Sequence, residues 1–244
     1  MRLSSPNALS LNLMQVPQSR LQDYVYDKLS ALILNGDIAP GQLITVQTLS
    51  KAFGVSATPV REALQKLVAA KALETIAGRS IGIPPLRREQ LIELTRVRVL
   101  IEGAAAEWAT PNVSNDVIRQ LEGQLSEMLI AAKRRDVKAY LRSNTDFHFN
   151  IYKLCGSELT YSIIQGLWLK SVPHFHHMYE LDRYTKANRH HDSVMKALKA
   201  RDGVKVREGI CADILTGSEL LLANLSSAAI APMRPRAKQA AKAL

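Results

Sequence analysis

Apolar residues return at every third or fourth position along most of this chain, and the places where that rhythm fails divide it into segments. The pattern predicts a helix over 20–35, with Val25, Leu29, Leu32 and Ile33 as its buried stripe and Gly36 as its stop. After the turn Ile38-Ala-Pro-Gly41, two short helices follow. Leu49, Ala52 and Phe53 give the first an apolar side, and Gly54 can take the left-handed conformation that ends it. Ser56 stands where it can cap the second, whose first turn tolerates Pro59 because a missing N–H has no partner to lose there. The helical period collects Val60, Ala63, Leu64 and Leu67 on one side of that helix. Thr58, Arg61, Glu62 and Gln65 fall opposite. Residues Leu73 to Ile83 then read as two strands around an Ala77-Gly78 turn.

Pro84-Pro85 closes this region, because the residue before a proline is pushed away from the helical conformation. Beyond it, amphipathic patterns recur over 88–109, 114–134, 136–155, 158–181, 187–200 and 203–226, with short connections between them. Six such helices predict an antiparallel bundle, its fourth helix kinked at Pro173. The fold expected is mainly α: an N-terminal winged helix-turn-helix followed by an antiparallel all-helical bundle. Its divisions are a disordered arm over 1–18, the winged head over 19–85, a helical domain over 86–227 and a disordered basic tail over 228–244.

The outward side of the second short helix presents small, amide and guanidinium groups. That is the chemistry of a recognition helix, in which N-terminal side chains reach base edges while arginine meets guanine or phosphate. Double-stranded DNA is therefore the expected partner, with Ser56, Thr58, Arg61 and Gln65 as its contacts. Gly78 would let the wing backbone approach a groove, and Arg79 would supply charge at its tip.

Composition narrows the picture. A hydrophobic content of 47% supports a packed core, and aromatics at 5% with abundant Leu and Ala favour helices. The formal net charge of +10 suits a polyanion, although the segment after Asn224 supplies four of the basic residues and no acidic one. Two cysteines are too few for a disulfide framework. No apolar run reaches the roughly 18 residues of a membrane span, and no signal peptide is evident, so a cytoplasmic address and no membrane partner are expected.

Some residues break the pattern of the bundle. Leu141, Asn144, His148, Ile151 or Tyr152, and Cys155 share an inward stripe, so an amide and an imidazole lie one turn apart in the core. His191 is in register with Val194, Met195 and Leu198, and Asp213 sits among Ile210, Gly217 and Leu220. Each is costly to bury alone, so helices that converge would let them satisfy one another or hold a cation. Two imidazoles, a carboxylate and an amide oxygen suit Zn²⁺, with Ni²⁺ or Mn²⁺ as alternatives. A metal-free polar cluster that holds a ligand by hydrogen bonds is the competing reading. Arg98 is the other exception, either paired with Glu102 four residues on or free to grip a carboxylate of an effector. His174, His176, His177 and His190 read as solvated or interfacial, Cys155 as a small core residue, and Trp108 and Trp168 as packing residues.

Residues 22 to 83 resemble the DNA-binding domain of the GntR family of bacterial transcription regulators. The likeness is carried by Val25-Tyr-Asp-Lys-Leu29, by Ile33-Leu-Asn-Gly-Asp-Ile-Ala-Pro-Gly41 and by Phe53-Gly-Val-Ser-Ala-Thr-Pro-Val-Arg-Glu-Ala-Leu64. The remainder resembles the helical ligand-sensing FCD domain of the FadR-type branch. This resemblance implies that Ser56, Thr58 and Arg61 contact an operator with Gly78 at the wing. Two departures are Ala57, where the family commonly has arginine, and Gln47, where it often has Arg or Glu.

The resemblance extends to the polar cluster. The family site has an acid four residues before a histidine, then two later histidines. Here Asn144 takes the acid's place, His148 and His191 match, and Asp213 replaces the last histidine. An effector is then expected near Arg98, His148 and His191. The protein implied is a homodimeric, ligand-responsive repressor released from its operator by a small organic acid, since one small head makes too few contacts for tight specific binding. A metal-dependent hydrolase or lyase using the His/Asp site is the competing class, and a metal-sensing regulator is a third reading. Neither a Gly-rich phosphate loop nor a nucleophile motif stands in the sequence.

Overall fold

In the computed structural model, the described residues are 18–77, 80–180 and 185–228. Most of the expected arm and tail, and the wing tip with Gly78 and Arg79, lie outside them.

The head begins with α1 (Gln18–Leu34), whose Val25, Leu29 and Ile33 are fully buried against α3. Gly36 has φ +71°, and the Asp37 N–H returns to the Leu32 carbonyl, closing the helix end. Helix α2 (Val46–Phe53) is capped by the Thr45 hydroxyl, which accepts from the Thr48 N–H at 3.1 Å, and it ends on Gly54 at φ +66°. Ser56 does stand at the N-cap of α3 (Ala57–Ala69), but its hydroxyl makes no capping bond. Val60, Ala63, Leu64 and Leu67 are buried, while Thr58, Arg61 and Gln65 are exposed. Strands β1 (Glu74–Ala77) and β2 (Ser80–Gly82) pair antiparallel. Ile44 adds an isolated rung on the other side of β2, exchanging both backbone bonds with Ile81 at 2.8 and 2.9 Å. That rung ties the segment before α2 to the wing.

Six helices follow: α4 (Arg88–Ala109), α5 (Asn115–Arg134), α6 (Val137–Tyr152), α7 (Glu158–Glu180), α8 (Thr185–Lys199) and α9 (Gly203–Ala228). A 3-10 turn, Thr110–Asn112, joins α4 to α5. Helix α9 packs along α4 and α8, and α5 packs on α6. Helix α6 stops three residues short of the expected 155. Leu154 and Cys155 donate to Ile151 and Tyr152 in a tightened turn, and Gly156 at φ +73° redirects the chain. Pro173 lies within α7, which continues past it to Glu180.

The cores of head and bundle meet. Leu169 of α7, 2% exposed, packs into the hydrophobic cluster of the head. Lys138 pairs with Asp37 at 3.0 Å, and the Thr145 hydroxyl lies 3.4 Å from the Leu34 carbonyl.

Candidate functional site

Two sites can be built from this framework. On the head, α2, α3 and the wing enclose an open groove of about 1120 Å³, lined among others by Gln47, Ser50, Ala57, Arg61, Gln65 and Thr75. Thr58, Arg61 and Gln65 follow one another at helical spacing on the exposed side of α3, and Ser56 is exposed just before them. Ala57 is the first residue of the helix and presents only a methyl group.

The second site lies inside the bundle. Helices α6, α8 and α9 bring His148, His191 and Asp213 together, their ligand atoms all within 4.8 Å of one another. The two Nε2 atoms are 3.2 Å apart; Asp213 Oδ2 is 3.3 Å from His148 Nε2, and Oδ1 is 3.6 Å from His191 Nε2. Both imidazoles are buried, and the Asp213 side chain is 14% exposed. Phe147 packs edge-on to His148 and tilted against His191. Asn144 lies half-buried one turn before His148, and among the described residues no hydrogen bond joins it to the trio.

Electrostatics follow from the burial. His191 is lowered to about 4, because burial penalises the imidazolium more than Asp213 can restore it. Burial alone would raise Asp213, but the neighbouring His191 and His148 imidazoles hold it at about 2. A neutral imidazole facing a carboxylate is the ionisation state a divalent metal requires. The donor set also fits a cation on geometric grounds, since the two Nε2 atoms and the Asp213 carboxylate converge.

Behind the trio stands a second polar layer. Tyr152 Oη lies 3.2 Å from His148 Nδ1 and donates to Glu102 Oε2 at 2.8 Å. Trp168 Nε1 donates to the same oxygen at 2.8 Å. Arg98 donates to Glu102 through Nε at 2.5 Å and Nη2 at 3.3 Å, and its guanidinium lies 5.2 Å from the Trp168 ring centroid. Of the two readings left open for Arg98, this packing contains the ion pair. The pair raises Arg98 despite the opposing effect of burial. Burial first, and Glu102 second, push the Tyr152 phenol well above its ordinary 10.

The residues missed from the sequence are Tyr152 and Trp168 as hydrogen-bonding groups. A signal for them exists: Tyr152 follows His148 by one turn, but a tyrosine on an apolar face reads as packing. Trp168 does pack, and it is also a donor. Trp108 corrects the packing expectation, being 52% exposed because no other described helix of this chain covers its side of α4. His190 is half-buried, its Nε2 2.9 Å from Thr216 Oγ1 of α9. His174 is half-buried as well, while the side chains of His176 and His177 fall outside the described residues. Cys155 is a buried thiol, as expected of a small core residue.

Residues 21–83 match the model described as bacterial regulatory proteins, gntR family, and residues 93–214 match the FCD domain, half of the chain. The HTH-type transcriptional regulator McbR of Escherichia coli (strain K12) is 28% identical over 170 residues, covering 68% of this chain and 77% of that protein. The gluconate operon transcriptional repressor of Bacillus subtilis (strain 168) is 26% identical over 182 residues, covering 70% and 72%. The solved structure of E. coli McbR/YncC superposes with a TM-score of 0.76 at 25% identity, covering 84% of this chain and 98% of that one.

Proposed function

The chain belongs to the GntR family of bacterial regulatory proteins and carries an FCD domain, and on that premise we propose a repressor that a small organic acid releases from its operator. It is a DNA-binding transcription regulator; the relatives and the fold are those of regulators, not of metal-dependent hydrolases. The head, placed at 19–85, reads the major groove with Ser56, Thr58, Arg61 and Gln65. Gly78 and Arg79 are assigned to the wing contact from sequence alone.

The sensor, placed at 86–227, holds a divalent metal through His148, His191 and Asp213, with Asn144 as the neighbouring amide. Zn²⁺ suits this donor set, as do Ni²⁺ and Mn²⁺. When bound, such an ion supplies a Lewis-acidic position for a carboxylate. Arg98 supplies the second grip, for which an entering acid competes with Glu102. The observation that carries the reading is that α6, which holds His148, and α7, which holds Trp168 in the layer behind it, also touch the head: α6 through Lys138 and Thr145, and α7 through Leu169. An effector that prefers one arrangement of α6 and α7 therefore biases the head, by no more than its difference in affinity for the two states.

A homodimer presenting two heads follows from the need for two half-sites. Its support in the structure is a side of α4 that leaves Val97, Leu100 and Trp108 exposed, beside exposed Leu215 of α9.

Selecting genomic fragments on the purified protein, then challenging the bound fraction with carboxylic acids with and without chelator, tests the whole reading. The expected result is an enriched two-fold sequence released by an acid in the metal-replete protein. Release by metal alone would instead favour a metal sensor, and no enrichment under any condition would overturn the regulator's operator reading.

A further inference from the structure

We propose that Tyr152 and Glu102 are positioning residues that hold His148 as its Nδ1–H tautomer, so that Nε2 keeps a lone pair aimed at the space shared with His191 and Asp213. The inference rests on the metal reading above for its consequence, but not for its geometry.

The direction of the hydrogen bonds is the argument. Glu102 is fully buried, and its carboxylate is surrounded by donors: Arg98 on Oε1, and Tyr152, Trp168 and Arg98 on Oε2. Paired with a guanidinium, it is an acceptor and has no proton to give. The single proton of Tyr152 is therefore committed to Glu102, 2.8 Å away. The phenol oxygen can offer only a lone pair to His148 Nδ1 at 3.2 Å, so Nδ1 must be the donor. In a neutral imidazole, Nε2 is then bare. It faces His191 Nε2 at 3.2 Å and an Asp213 oxygen at 3.3 Å.

Without a cation, one proton on His191 Nε2 must serve two acceptors, the His148 lone pair and the carboxylate. A cation meets all three lone pairs at once. Among the described residues His191 has no equivalent anchor, since its buried Nδ1 finds no hydrogen-bond partner there. The fixed member of the site is thus His148, and the residues fixing it belong to α4 and to the end of α6. Arg98, assigned to the effector, shares the Glu102 carboxylate with this chain of hydrogen bonds, so metal and acid would act on one hub rather than on two independent sites.

The test reads the tautomer directly. Long-range ¹H–¹⁵N correlation of the full-length, chelator-stripped protein, with His148 assigned by its loss in His148→Ala, should show His148 protonated at Nδ1 and bare at Nε2. In Tyr152→Phe the His148 pattern should shift towards a mixture of tautomers. Titration with Zn²⁺ against a competing chelator should then show affinity falling about 10–100-fold in Tyr152→Phe and in Glu102→Gln, the usual cost of removing an outer partner of a metal-bound histidine. Circular dichroism separates this from loss of fold, and the wild-type tautomer decides the geometry even if a variant does not fold. An Nε2–H His148 in the wild type overturns the proposal. An Nδ1–H His148 in a wild type that binds no Zn²⁺ would uphold the relay and reject the cation reading. Unchanged Zn²⁺ affinity in a folded Tyr152→Phe would reject the positioning role.

Discussion

Leu169→Ala tests whether the head is mechanically attached to the sensor. Among the described residues, Leu34 packs against both cores, and three further contacts across the junction differ in strength. Lys138–Asp37 is a solvent-exposed pair, worth up to about 1 kcal/mol. The Thr145 hydroxyl has one proton and already donates to Leu141 at 2.8 Å, so its 3.4 Å approach to the Leu34 carbonyl adds little. Leu169 is different in kind: it belongs to α7, yet its side chain is buried in the apolar cluster of the head. Truncating a fully buried leucine costs about 2–5 kcal/mol, through lost transfer energy and the cavity left behind. Of these three, Leu169 alone matches or exceeds the roughly 1–3 kcal/mol over which allosteric coupling usually operates. Urea unfolding of Leu169→Ala should show that loss, and native-state amide exchange should quicken first in α1 and α3, which share the cluster. Lys138→Ala should stay within about 1 kcal/mol of wild type. A loss below about 1 kcal/mol for Leu169→Ala, or α5 amides losing protection before those of α1, would refute the assignment of Leu169 as the tie.

Arg61→Ala should weaken operator binding by about 1–3 kcal/mol if Arg61 meets a base edge, measured by anisotropy on the selected sequence; unchanged affinity would remove it from the reading face. His148→Ala combined with His191→Ala should abolish bound metal, as seen by elemental analysis, while leaving operator affinity near wild type. In chelator-stripped protein, stability should fall as pH drops from about 6.5 towards 4. The unfolded His191 takes a proton near 6.5, whereas the buried one resists until about 4. The contribution of Asp213, present above its ordinary 3.8, should be lost only as pH falls towards 2. Urea midpoints across a pH series check both, and a midpoint that stays level between about pH 6.5 and 4.5 would contradict the buried-neutral assignment of His191.

How much of this is legible in the sequence depends on how local each cause is. Helix periods, the Gly54 turn and the buried side of α3 are set within a few residues, and they stand where the pattern puts them. The pattern overruns the end of α6 by three residues because Cys155 continues the apolar rhythm into a turn that Gly156 has already begun. The Ile44–Ile81 rung leaves no trace, since a single paired residue has no alternation to detect. Trp108 misleads for a related reason. A large apolar residue at helical spacing announces an apolar side, but not whether the same chain covers it.

The polar cluster shows the same limit more sharply. A histidine on an apolar face says that a partner must exist; which partner is decided by how closely the helices approach. Here that approach depends on a residue with no chemistry of its own. A β-carbon on Gly209 would stand 2.7 Å from Val194 Cγ2, so the glycine lets α9 lie against α8 at a distance no larger residue allows without displacement. Val194 follows His191 by three positions and Gly209 precedes Asp213 by four, which puts each pair on one side of its helix. The close crossing and the facing of His191 by Asp213 are therefore one packing event. Gly103 acts in the same way on α4, where a β-carbon would stand 2.8 Å from Cys211 Sγ, and its absence sets that helix, with Arg98 and Glu102, against α9. The donors of the site can be found as interruptions in a hydrophobic pattern. Their geometry is carried by two glycines that the same pattern counts as ordinary small residues.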